Sequence, residues 1–277
     1  MPSPVLNERT LKSAPATWAP PEPPSTYVPP ISDGPVSTWR PQMMTVNGTI
    51  TKTAILFVLL LASATVGWIQ TGGPDIVTDD SGQQVYQYNI PALAWVGVIV
   101  GFGLAVLLMF KPHLAKFVAP LYAIAQGFFV GALSRMYETF YDGIVVQAAG
   151  ATIAVFAVML VLYRTRIIKV TERFRTIVTA ATLGIMVFYG LCFVVRLFAG
   201  ADSISFLSSP SLLGIAFSVL VAGLAAFNLA LDFDFIERGS KMGLDKNFEW
   251  YGAFGLLVTI VWLYLEMLRL LSKLRSR

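Results

Sequence analysis

Seven long apolar runs leave this chain few ways to fold. They are Thr53–Gln70, Ile90–Phe110, Phe117–Tyr137, Gly143–Tyr163, Ile177–Phe198, Ser211–Phe235 and Trp250–Leu271. A bilayer core takes about 20 residues of helix to cross, and each run comes close to that length. Charged residues make up only 13% of the chain and hydrophobic ones 56%, whereas a soluble domain carries about 25% charged residues. The expected fold class is therefore all-α: a polytopic, seven-transmembrane-helix bundle over residues 50–277, embedded in a lipid bilayer.

Residues 1–49 are a different kind of polymer. Proline is dense there, as in the run from Ala19 to Pro24 and at Pro29 and Pro30, and aliphatic side chains are few. Such a segment buries too little apolar area to offset its ordering entropy. It reads as a disordered N-terminal tail, either a plain cytoplasmic extension or a ligand for a protein partner that reads proline. With no apolar stretch after a basic start, it is not a secretory signal.

The basic residues set the orientation. Arg9, Lys12, Arg40 and Lys52 precede the first run, Lys111 and Lys116 follow the second, and Arg164, Arg166, Lys169, Arg173 and Arg175 follow the fourth. Arg238, Lys241 and Lys246 follow the sixth. These are alternate segments, so all can lie in the cytoplasm together with the N-terminus. The first connection, Thr71–Asn89, is acidic (Asp75, Asp79, Asp80) and has no Lys or Arg. Seven crossings put the C-terminus outside, against the basic Lys273, Arg275 and Arg277. Either the seventh run re-enters without crossing or a short basic tail is tolerated outside; its length favours a full crossing. Gly127 and Gly131 have the small-xxx-small spacing that lets helices approach closely, within one protomer or across a dimer. Gln147, Gly150 and Thr152 of the fourth run offer small or polar contacts of the same kind.

Ionisable groups in or near the spans mark candidate chemistry, because a charge at the bilayer centre costs roughly 2.5–3.5 kcal/mol on insertion scales. They are Arg135, Arg196, Asp232, Asp234, Glu249, Glu266 and Arg269. Asp232 and Asp234 close the sixth run. Asn228 lies one turn before Asp232 on the same face, so Asp232 looks inward, while Asp234 points elsewhere and reads as interfacial. Glu266 and Arg269, three apart, can neutralise each other, or Glu266 can be a second acid facing Asp232. Glu249 reads as an N-terminal cap, and Arg135 and Arg196 as snorkelling to the interface. The single cysteine, Cys192, reads as packing, and the single histidine, His113, as a loop residue, which excludes a multi-histidine metal site. Phosphate loops and the zinc-hydrolase and serine-hydrolase motifs are absent. Neither an intramembrane serine nor an aspartyl protease fits the placement of His113, Asp232 and Asp234. The expectation is a non-enzyme without cofactor, metal site or nucleic-acid partner.

The order and spacing of several segments resemble the Bax inhibitor-1 (transmembrane Bax inhibitor motif) family. They are Phe217–Leu220 with Leu229–Ile236 (LALDFDFI), Leu121–Gly127 (LYAIAQG), Gln147–Phe156 (QAAGATIAVF) and Leu263–Leu271 (LYLEMLRLL). The resemblance covers roughly residues 50–277, leaves out the tail, and has the look of an actinobacterial-type branch, which implies a bacterial cytoplasmic membrane. It implies a pH-sensitive calcium leak channel in which acids of the sixth and seventh spans share a proton or pair with arginine. Asp232 matches the sixth-span acid. Counting back from Arg269 puts the seventh-span acid at Thr259, which cannot ionise; Glu249 and Glu266 are the nearest acids. On this reading Asp232 is the gating acid, and Asp232, Asp234, Asn228 and Thr259 could supply oxygen to a passing hard cation. The alternative is a non-transporting membrane protein that acts by binding other proteins.

Overall fold

The computed structural model describes residues 43–73, 75–78, 84–87, 91–199 and 210–277. The tail reading for residues 1–42 lies outside them. Seven helices follow in order: α1 Val46–Gln70, α2 Ala92–Phe110, α3 Ala115–Phe140, α4 Ile144–Arg164, α5 Glu172–Ala199, α6 Leu212–Met242 and α7 Phe248–Arg275. Each is long and apolar enough to cross a membrane. His113 sits in a short 3-10 turn, Pro112–Leu114, between α2 and α3, and Cys192 is buried. The acidic connection after α1 carries a small antiparallel hairpin, β1 Asp75–Thr78 with β2 Gln84–Gln87, in which Asp75 pairs with Gln87. Asp79 and Asp80 lie outside the described residues, as does the side chain of Arg196.

Helix ends follow capping chemistry and not hydropathy. α1 starts at Val46, ahead of both the apolar run and the expected domain boundary at residue 50, because Thr45 caps it by accepting from the Gly48 N–H at 2.9 Å. α6 continues two turns past Phe235, until Gly243 adopts a left-handed φ of 68° and its N–H turns back onto the last carbonyls. Asp232 and Asp234 therefore lie inside a helix, with backbone groups already satisfied, and not on a fraying end.

α7 is the hub, packing against α1, α3, α4 and α6, while α2 rests on α3 and α5 chiefly on α6. Alanines make the tight α6–α7 contact feasible: Ala222, Ala225, Ala226 and Ala230 are buried together with Leu229 and Leu263. A second cluster joins Leu56, Tyr122, Phe254 and Leu257 across α1, α3 and α7. Large apolar side chains such as Leu61, Ile99, Phe110 and Val187 remain exposed on the outside, as a lipid-facing surface requires.

α7 runs from one face of the bundle to the other. At its start Glu249 meets Thr45 of the α1 cap. At its end Arg275 donates to the Asp142 carbonyl, 2.6 Å, in the α3–α4 connection. With 28 residues it is about 42 Å long, which a re-entrant hairpin does not need. The basic end of the chain is absorbed in two ways: Arg275 ties down a loop, and Lys273 is buried against α6.

The Gly127–Gly131 pair serves packing within the chain. An added Cβ would stand 2.4 Å from the Leu60 carbonyl oxygen at Gly127 and 1.9 Å from that of Ala64 at Gly131. α1 answers with Gly67, whose Cβ would meet the Phe128 carbonyl oxygen at 2.2 Å. Only glycine allows backbones this close, so Gly131→Val must push α1 off α3. The expected cost is about 3 kcal/mol, the upper part of the overpacking range. Thermal unfolding in detergent reads it as a lowered midpoint; an unchanged midpoint would mean that the two helices are not held together here.

Candidate functional site

Two carboxylates inside the bundle, those of Asp232 and Glu266, each keep one buried oxygen without a hydrogen-bond partner. Asp232 of α6 faces Gly255 of α7, whose absent Cβ would lie 3.4 Å from Oδ1. Thr259, one turn further along α7, stands beside the carboxyl group, but gives its hydroxyl proton to the Gly255 carbonyl at 3.1 Å. Oδ2 of Asp232 is buried and has no hydrogen-bond partner, and among the described residues no basic group pairs with it. Gly255 and Thr259 are spaced i, i+4 and line the α7 stripe that receives α6.

Glu266 lies two turns beyond Thr259. It is 1% exposed, which in an apolar surround demands a counter-charge. Arg269 donates to its Oε1 at 2.6 Å and to the Tyr189 hydroxyl at 2.7 Å. Tyr189 of α5 completes the triangle by donating to the same Oε1 at 3.3 Å, and the guanidinium lies 5.2 Å from the centre of its ring. Oε2 remains buried without a partner. Further along, Lys273 donates to the Gly214 carbonyl at 2.9 Å and to Ser218 Oγ at 2.8 Å, both on α6.

The structure divides the other expected site residues. Asn228 turns to α5, donating to Thr182 Oγ1 at 2.8 Å and to the Leu224 carbonyl at 2.9 Å, so it shares a helix face with Asp232 but not a partner. Asp234 is buried, and it is held by Arg175 at 2.8 Å and Arg238 at 2.9 Å. Both arginines also reach Glu172. Asp234 is thus the buried centre of an ionic cluster. Asp232, Thr259 and Gly255 come together; Glu266 and Arg269 form a separate pair; Asp234 and Asn228 belong to neither. Among the described residues no three acidic, histidine or cysteine side chains gather to hold a metal.

Glu249 does not cap its own helix. Its Oε1 accepts from the Thr45 N–H and hydroxyl, both at 3.0 Å, and Oε2 pairs with Lys52. The acid is 1% exposed and pins the start of α1 to the start of α7. Gly48 leaves room for it, since a Cβ there would fall 2.2 Å from Oε1. Glu249→Ala strips Lys52 and Thr45 of their acceptor; an expected loss of about 1–3 kcal/mol is read as a lower unfolding midpoint, with Lys52→Met recovering part of it in the double variant.

Sequence reasoning missed Tyr189, Thr182, Lys273 and Glu138. Glu138 accepts the Gly143 and Val145 N–H groups at 2.7 and 3.0 Å and so starts α4. A tyrosine inside an apolar run was the available sign for Tyr189, since its hydroxyl needs a partner when buried. A family model described as Bax inhibitor 1 like matches residues 3–276. The match thus takes in the proline-rich stretch that the segment-by-segment resemblance left out. No curated protein matches the chain.

Proposed function

Because this chain belongs to the Bax inhibitor 1 like family, we propose that it is a pH-sensitive calcium leak gated at Asp232. The observation that carries this reading is the buried, unpartnered Oδ2 of Asp232 on the central α6–α7 seam. A membrane-embedded acid left without a partner is the kind of group that ion and proton paths use. Its oxygen is open to a proton or to a cation, and the two compete for the same lone pairs.

A resident calcium ion takes six to eight oxygen ligands. Asp232 with the Thr259 hydroxyl offers far fewer, and Asp234 is already held by Arg175 and Arg238. The arrangement suits a cation passing with most of its water, at low flux, rather than one that is stored. Thr259 cannot ionise, so proton sensing falls to Asp232 alone instead of to an acid pair. We place the protein in a bacterial cytoplasmic membrane with its N-terminus inside, and we assign it no catalysis.

The test is calcium entry into liposomes that carry the full-length protein, followed with an enclosed dye between pH 5 and 8. The channel reading requires entry above that of protein-free liposomes and a dependence on pH. Entry no faster than in empty liposomes at any pH would sink it and leave the non-transporting, partner-binding role.

A further inference from the structure

A second site lies outside the carboxylate seam, where α4, the connection 165–171 and the end of α6 meet. A cavity of about 600 Å³ opens there. Four basic side chains line it, Arg166, Lys169, Arg238 and Lys241, against two acids, Asp234 and Glu237. Both acids are occupied. Asp234 is held by Arg175 and Arg238. Glu237 is held by Arg166 at 3.0 Å, by Lys241, and by the Tyr163 hydroxyl at 2.5 Å. The carboxylates act as struts that fix the guanidinium groups, and the surplus charge is positive. Lys169 is exposed and makes no ion pair among the described residues. Arg166 adopts φ 60°, the one non-glycine residue in the left-handed region among those described, an uncommon placement for a side-chain-bearing residue.

Below this cavity the same stripe of α6 becomes apolar. Leu220, Gly223, Leu224 and Phe227 line a groove with Phe174, Ile177 and Gly184 of α5, of about 710 Å³. Phe227 and Asp234 are seven residues apart, so groove and cavity follow one another on one helix face at about 10 Å. The groove has open space where Gly184 and Gly223 carry no side chain; a Cβ at either would meet nothing within 4 Å. Helix packing therefore does not call for these glycines, and their missing side chains keep the groove open.

We infer that this cavity and groove form a binding site for an anionic phospholipid, with the phosphate among Arg166, Lys169 and Lys241 and one acyl chain between α5 and α6. Basic pockets at helix ends recognise lipid headgroups by charge, and the groove supplies the selectivity for a chain that a free phosphate ester lacks. The site is independent of Asp232 and does not rest on the calcium reading.

Full-length protein in neutral detergent, titrated with phosphatidylglycerol, phosphatidylcholine and glycerol phosphate and read by native mass spectrometry, tests this. Wild type should hold phosphatidylglycerol about tenfold more tightly than phosphatidylcholine, as expected for charge recognition near a membrane surface. Lys169→Glu should abolish that preference. Gly223→Leu, whose Cβ meets nothing within 4 Å and whose side chain takes up groove space, should weaken both lipids. Equal retention of the two lipids by wild type would overturn the proposal, as would an unchanged preference in Lys169→Glu or undiminished binding of both lipids in Gly223→Leu. Glycerol phosphate competing as strongly as the lipid would also overturn it and assign the pocket to a soluble phosphate ester.

Discussion

Asp232→Asn abolishes the pH dependence of calcium flux and leaves the bundle at least as stable as before. The substitution keeps the size and one oxygen of the side chain and removes its ionisation. Oδ2 has no partner to lose, and no basic residue among those described is left unpaired. Stability should therefore stay level or rise, as when an uncompensated functional group is removed. Flux should fall by roughly tenfold, since a contact to a charged group contributes about 1.5–3 kcal/mol against about 0.5–1.5 for a neutral one. Both are read on one preparation: dye-reported entry between pH 5 and 8, and thermal unfolding in detergent. A variant that unfolds early would show that the carboxylate holds the structure together; one that keeps the wild-type pH profile would remove Asp232 from gating. Asp232→Glu, which restores the charge one methylene further out, should recover part of the flux and its pH dependence.

Arg269→Met has the second large effect, and it acts on stability. Glu266 is 1% exposed, and among the described residues Arg269 is the one that forms an ion pair with it, at 2.6 Å. Removing that partner strands a carboxylate between α5 and α7, a change that costs about 3–5 kcal/mol. Glu266→Gln alone should cost less, because Arg269 is about one-third exposed and keeps the Tyr189 hydroxyl as acceptor. The double variant should lie well above Arg269→Met in unfolding midpoint, since breaking a buried pair is worse than replacing it. Equal midpoints for Arg269→Met and the double variant would show that Glu266 is not ionised in the wild-type bundle. Tyr189→Phe, which removes the hydroxyl but not the ring under the guanidinium, should produce a smaller loss.

Asp232 and Glu266 differ in what surrounds them, and no single-residue rule would have separated them. Both sit in apolar runs, both have a polar residue within two turns, and both leave one oxygen unsatisfied. Glu266 carries its counter-charge on its own helix, three residues on, so spacing alone exposed that pair. Asp232 has its neighbours on another helix, Gly255 and Thr259, 23 and 27 positions away in the chain. The count from Arg269 to Thr259 found the right neighbour for a different reason, as the place of a missing acid. Asn228 shows the reverse case: helix periodicity put it on the face of Asp232, and the approach of Thr182 from α5 drew its amide away.

A bundle of seven membrane-crossing helices is legible in the chain alone, because run length and apolar content are local properties that the bilayer reads directly. The sequence also marked Gly127 and Gly131 as contact points and offered Arg269 as one partner for Glu266; the structure chose that pairing over a second acid facing Asp232. Which helix each polar group meets depends on how the helices assemble. That step made Asp234 the centre of an arginine cluster, sent Glu249 to the start of α1, and buried Lys273 against Gly214 and Ser218. Side-chain partners on different helices are set by how seven cylinders pack, and the glycines and alanines that allow the close approaches specify distance without naming a partner. The helix ends belong to the same class: Thr45 and Gly243 set them by backbone capping, which hydropathy does not register.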